Sequence, residues 1–272
     1  MRALAASLVI LTLLFQNTGC RKQAADLLTV KTAPGVILEG VNVGELRKDQ
    51  LEIVVGDLAA RQRIVPRNAA FESEHGEIVP EVIGREVEQV ATVKAVLSAP
   101  SGSSLTALYT AIEPDITRDK LNSAVKLAAY GTAILDRNPD RSENIRLTAA
   151  LINNTVLEPG GEFSFNRRTG EPTVERGFRY AIVFNNGRQE LGLGGGMCQV
   201  SSTLYNAAIQ AELLITERHQ HSQPVSYVPV GYDATTYTDK DLRFVNSTRQ
   251  LVMIKALIKG GEVWVELWKL PR

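Results

Sequence analysis

Apolar positions along this chain switch between two spacings, and the switches mark out its elements. After Cys198, the residues Val200, Leu204, Ala207, Ala208, Ala211 and Leu214 or Ile215 recur every three or four positions. That spacing predicts a helix with one apolar face, beginning at the cysteine. Helical spacing also covers Lys48 to Arg63 and Glu86 to Leu97, the second with Val87, Val90, Val93 and Val96 or Leu97 along one side. Asp140-Arg141-Ser142-Glu143 has the spacing of a capping box and predicts a helix through Ile145, Ala149 and Ile152. Elsewhere the period is two. Short strands are expected within Gly35 to Gly44, at Ile64-Val65-Pro66 and around Ile78-Val79-Pro80. Phe163 and Phe165 alternate with Glu162 and Ser164 as in a half-buried strand, and Phe178 to Phe184 reads as a strand turning at Asn186-Gly187, a strong hairpin signal. The C-terminal stretch reads as all β, from Leu242 to Val245, Leu251 to Ile258 and Val263 to Trp268, with Trp264 and Trp268 packing on one face of the last strand.

Breaks at Ser101-Gly102-Ser103-Ser104 and Glu113-Pro114-Asp115 put a domain boundary between Thr117 and Ala133. The expected organisation is a leader over 1–20, a polar tether over 21–33, a small α/β-type module over 34–120 and a mixed, β-rich domain over 130–270, making an α+β protein. The leader follows from Arg2 and the apolar run Ala3 to Phe15, which suits a secretory signal and is short for a membrane span. Thr18-Gly19-Cys20 after it resembles the bacterial lipobox, with Asn17 where an aliphatic residue is usual. That resemblance implies lipidation at Cys20 and a membrane-anchored, exported lipoprotein of the bacterial envelope.

Composition narrows the partners. Thirty basic and thirty acidic residues give a formal net charge of zero, which removes any global electrostatic case for nucleic acid. Two cysteines are present, so if Cys20 carries lipid, Cys198 has no disulfide partner. The bland readings of Cys198 are a buried small side chain or a disulfide to Cys20. The setting favours chemistry. At a helix start the unpaired N–H groups and the dipole favour a thiolate, and Gly192, Gly194, Gly195 and Gly196 let a substrate approach while backbone N–H groups around Gly196 to Gln199 hold an oxyanion.

A nucleophilic cysteine needs a base and a group that orients the base. His219 and His221 follow the cysteine helix and, in an extended segment, point to the same side, so either reaches the thiol; His221 is preferred, with Asp233 as orienter. Zinc held by Cys198, His219 and His221 is the rival chemistry, disfavoured because no Cys-x-x-Cys or His-Glu-x-x-His spacing occurs. No metal and no cofactor are therefore expected. Ser201 and Ser202 lack a Gly-x-Ser-x-Gly elbow and read as capping or substrate-binding residues, and His75 reads as a surface loop residue.

Two resemblances add a substrate class. Gly35-Val36-Ile37-Leu38-Glu39-Gly40-Val41-Asn42-Val43-Gly44-Glu45-Leu46 resembles the opening of a small peptidoglycan-binding module. Gly160 to Asn166, Arg176-Gly177-Phe178, Gly194 to Ala207, Glu217 to Ser222 and Tyr227 to Ala234 resemble the VanW family, over roughly Gly131 to Val245. Membership implies a protein of the bacterial envelope with links to glycopeptide-antibiotic resistance, and some members are described as L,D-transpeptidases acting through the cysteine of this motif. For this chain it implies Cys198 as nucleophile, His221 or His219 as base, Asp233 behind it, and Gly194, Gly195, Gly196, Gln199, Ser201, Ser202, Tyr205 and Arg176 as substrate-binding residues. The expected partners are peptidoglycan stem peptides, and the membrane if Cys20 is lipidated. The reading from a different class is a non-catalytic peptidoglycan-binding or glycopeptide-resistance accessory protein.

Overall fold

The computed structural model describes residues 30–185 and 188–271. The expected leader with Cys20 and the Asn186-Gly187 turn lie outside the described residues. The architecture is α+β, in two compact units: one contains the described residues up to Pro66 together with Ile83–Glu113, the other Arg67–Val82 and the described residues from Pro114 onward. No helix among the described residues is long and apolar enough to cross a membrane.

In the first unit, Ile37–Leu38 pairs antiparallel with Val41–Asn42 and parallel with Ser104–Leu105. Helices Lys48–Gln62 and Gln89–Leu97 supply Leu51, Val55, Val93 and Val96 to a core shared with Val36 and Leu38. Val90, expected on the apolar side of the second helix, is 86% exposed, because the inner face runs through Thr92, Val93 and Val96. The expected strand at 64–66 is reduced to a single bridge between Ile64 and Arg85.

The second unit carries the cysteine. Its main sheet is antiparallel throughout, in the order Val125–Ala133, Glu262–Lys269, Val252–Lys259, Thr155–Leu157. Val125–Ala133 falls inside the span expected to hold the domain boundary. Its alanines and Gly131 carry little hydrophobic signal, and the glycine is needed because a Cβ there would sit 2.6 Å from the Trp264 ring. One face of the sheet takes the helices Pro139–Ile152 and Met197–Gln210, with Ile145, Ile152, Val200, Leu204 and Ala207 packed against Ile254, Val263, Val265 and Leu267. Burying a side chain such as Val200 or Leu204 contributes about 1.5 to 3 kcal/mol, so this apolar face is what holds the cysteine helix down.

Against the other face lies the hairpin Ala70–Phe71 and Ile78–Val79. Phe71 exchanges hydrogen bonds with Asn154, accepts another from Asn153 Nδ2, and stands 5.9 Å from the Trp268 ring, while Lys255 Nζ donates to Gly76 O. These bonds assign Arg67–Val82 to the second unit, so the 34–120 segment is not one contiguous body.

Three local readings change. The helix at 139 starts on Asn138, whose Oδ1 accepts from the N–H groups of Asp140 and Arg141 with Pro139 in the first turn, rather than on a box at Asp140. The cysteine helix stops at Gln210. Leu214 and Ile215 belong to the strand Leu214–Glu217, which pairs with Arg243–Val245. Phe163 stacks on Phe244 from the strand Glu162–Ser164, whereas Phe165 opens a short helix, Phe165–Thr169.

Candidate active site

The site is built where the cysteine helix meets the loop that follows it. The helix runs Met197–Gln210 with Gly196 as its N-cap at φ 111°, so Cys198 lies in the first turn. The glycines before it are consumed by the fold. A Cβ on Gly195 would stand 2.5 Å from the carbonyl oxygen of Ile182, and one on Gly196 would stand 2.8 Å from Ile145 Cγ1. Asn144, fully buried, locks the same turn by donating to the carbonyls of Gly195 and Arg179 and accepting from Arg179 N–H. Gly194 takes φ 79°, and its carbonyl accepts from Met197 N–H while that of Gly196 accepts from Gln199 N–H. Two of the N–H groups expected to face an oxyanion are therefore spent inside the turn.

The loop brings the acid and base groups. His221 receives Asp233 twice: Oδ2 accepts from its backbone N–H and lies 2.6 Å from Nδ1. Asp233 is in turn held by Arg218, which donates to the backbone carbonyls of Asp233 and Gly231 and pairs with Oδ1 at 3.4 Å, its guanidinium stacked on the Tyr205 ring at 4.9 Å. With Nδ1 engaged by Asp233, His221 favours the ionised form of the Cys198 thiol, and the thiol in turn favours the charged imidazole. The Cys198 sulfur also stands 3.7 Å from both Thr235 Oγ1 and the Thr236 carbonyl oxygen.

The electrostatics follow from this chain of contacts. Burial pushes the Cys198 thiol up, but the hydrogen bond and charge of His221 more than offset it, together with contacts from Thr236 and Thr235, and bring it to about 7. Burial pulls His221 down. The thiol and the Asp233 carboxylate outweigh that and hold it above its ordinary value. Asp233 stays below the usual carboxylate range: burial opposes ionisation, and the backbone N–H and ring of His221 overcome it. Such an arrangement can carry a thiolate beside an imidazolium near neutral pH, which is what acyl transfer through sulfur requires.

The remaining candidates fall into place by contact. The His219 side chain is 38% exposed, with Nε2 3.0 Å from Glu217 Oε1, and its backbone bridges to Thr235. Ser201 and Ser202 are fully buried and both donate to the Ala234 carbonyl, while Ser202 Oγ accepts from Ala234 N–H. They pin the loop to the helix. Gln199, also buried, spends its amide on Thr132 and Ala133 and its Oε1 on Arg141. Arg176 braces the carbonyls of Thr169 and Glu171 and is exposed. Among the described residues, Cys198, His219 and His221 do not form a metal-ligand set; the group close enough to do so is the half-buried Glu72 with the exposed Glu74 and His75, their ligand atoms within 4.8 Å of one another.

Two residues at the site were not singled out from the sequence. Burial and the Cys198 thiol push the Tyr227 hydroxyl far above the ordinary range, with Ser202 and Arg141 opposing them. Arg141 comes from the first turn of the neighbouring helix, where its only sequence signal is helix-start spacing. Tertiary packing sets it against Gly196 and Gln199, on either side of the cysteine.

A half-buried cysteine, a histidine whose side chain is buried and a buried aspartate, assembled from a helix start and the following loop, define a candidate thiol-dependent acyl-transfer site on an α+β scaffold. Comparison with known proteins supplies the family. A family profile described as VanW like protein matches residues 140–268. The chain is 36% identical over 209 residues to the protein YoaR of Bacillus subtilis (strain 168), covering 75% of this chain and 69% of that one. It is 31% identical over 97 residues to the vancomycin B-type resistance protein VanW of Enterococcus faecalis (strain ATCC 700802 / V583), covering 34% of this chain and 35% of that one. No solved structure gives a significant match. The chain belongs to the VanW-like family.

Proposed function

We propose that this chain is an exported cell-envelope protein that acts on peptidoglycan as a cysteine-dependent acyltransferase of the L,D-transpeptidase type. The observation that carries the reading is the Asp233 carboxylate 2.6 Å from Nδ1 of His221, the group that favours the ionised Cys198 thiol and helps to hold it near 7. In the first step the thiolate attacks the carbonyl carbon of an L,D peptide bond, and the S–C bond forms. As the C–N bond breaks, its electron pair stays on the leaving amine, which takes a proton from the His221 imidazolium. The thioester then passes to the amine of a second stem peptide or to water, with His221 as base. Asp233 holds the ring in the orientation this needs. The first unit serves as the peptidoglycan-binding module, and Cys20 as the lipid anchor. The vancomycin-resistance role in the name of the Enterococcus faecalis relative supports a cell-wall setting.

Incubating the full chain with stem tetrapeptides, and comparing it with Cys198→Ala, tests the reading. Release of the terminal residue or formation of a cross-linked product by the wild type only is expected. Identical products from both proteins would sink it.

A further inference from the structure

Arg141 is the one place among the described residues where a buried side-chain nitrogen has no partner. Its side chain is 13% exposed and its stem packs on Gly196, at the entry to the cysteine helix: a Cβ on Gly196 would lie 3.3 Å from Arg141 Cγ. Nη2 donates to Gln199 Oε1 at 2.8 Å, and Nε lies 3.9 Å from the carboxylate of Asp136, which is 56% exposed. Nη1 is enclosed and unpaired. Gln199 is neutral and Asp136 is at the limit of an ion pair, so the guanidinium is a buried cation short of a counter-charge. Such a group is costly unless something anionic completes it. Its contacts with Gly196 and Gln199, two residues before and one after Cys198, put the guanidinium at the first turn of the cysteine helix.

Building on the acyl-transfer reading above, we propose that Arg141 binds the free C-terminal carboxylate of the donor peptide, through Nη1 and the second N–H of Nη2. The planar fork matches a carboxylate with two parallel hydrogen bonds. In a substrate cleaved at its last peptide bond, that carboxylate is three bonds from the carbonyl carbon that sulfur attacks. One cation beside the thiol therefore reads whether the bond is the last in the chain. The substrate class is a peptide ending in a free carboxylate, cleaved one residue from that end, and Arg141 is a specificity-determining residue held in place by Gln199.

The test uses the full chain and two peptides, a stem tetrapeptide with a free C-terminal carboxylate and the same peptide capped as the amide. The wild type is expected to favour the acid by on the order of 100-fold in kcat/KM, as for loss of one partner of a buried charge pair. Arg141→Ala should bring the acid down to the rate of the amide, and Arg141→Lys, which keeps the charge and loses the fork, should fall between. Equal rates for acid and amide in the wild type overturn the inference and leave acyl transfer standing. The wild-type comparison decides the matter even if Arg141→Ala does not fold. If neither peptide is turned over, the acyl-transfer reading fails, and binding of the same peptides to Cys198→Ala decides the inference separately. A preference for the acid that disappears when Arg141→Ala is added supports it, and equal dissociation constants overturn it.

Discussion

The turn from Gly194 to Gly196 and the segment from Arg218 to Thr236 flank the same sulfur and contribute to it in opposite ways. By its sequence the turn is the conspicuous half, a run of glycines leading into a cysteine, and the loop offers the candidate base and its orienter. In the folded chain the turn is structural. Its missing side chains are filled by Ile182, Ile145 and Pro172, and its amides and carbonyls bond within the turn or to Asn144. The loop carries His221, Asp233, Thr235 and Thr236, all in contact with the thiol or with one another. A run of glycines before a nucleophile thus reports close packing of the backbone as readily as an opening for substrate.

Substitutions on the two sides should separate these roles. The largest effects belong to the loop and the sulfur. Cys198→Ala should abolish alkylation by a thiol-reactive probe. His221→Ala should move the midpoint of the alkylation rate against pH from about 7 to above the ~8.5 of a free thiol, since the offset to burial is gone. A midpoint that stays near 7 would remove His221 from the site. Asp233→Asn should lower turnover of a stem peptide by roughly 10²- to 10⁴-fold while leaving the fold intact, by analogy with loss of the orienting carboxylate elsewhere.

The turn should respond in stability instead. Gly195→Ala forces a Cβ against a backbone carbonyl and should cost about 2 to 4 kcal/mol in chemical denaturation. Preserved stability with lost alkylation would reverse the comparison, making the turn the chemical half. Ser202→Ala, which unpins the loop from the helix, should cost about 1 to 3 kcal/mol. The smallest effect is expected for His219→Ala, within about 0.5 kcal/mol and with no change in the alkylation midpoint, because its ring meets Glu217 at a part-exposed position.

Acid should act through the loop. Asp233 is depressed in the folded chain, so the stability it contributes is complete above its unfolded value of about 3.9 and is lost as pH falls through the lower folded value. In Asp233→Asn the corresponding part of the acid transition should be missing.

Much of this was legible in the residues themselves. Val200, Leu204, Ala207 and Ala208 announce a helix by spacing, and Cys198 at its start announces a thiol easier to ionise, because both are properties of neighbouring positions on one element. The alternation from Val263 to Trp268 likewise marks a strand with one tryptophan face. What sequence left open was settled by contacts between distant positions. His219 and His221 are two residues apart and equivalent by periodicity; only the placement of Asp233 against Nδ1 of one, and of Glu217 against the other, tells them apart. Val125–Ala133 became a strand because Trp264 fills the space over Gly131, and Arg141 reached the cysteine because two helices pack side by side on one sheet. Local spacing thus determined the elements and the nucleophile candidate. Tertiary structure decided which histidine meets Asp233, which meets Glu217, and where the buried cation lies, since each depends on which distant groups share one desolvated space.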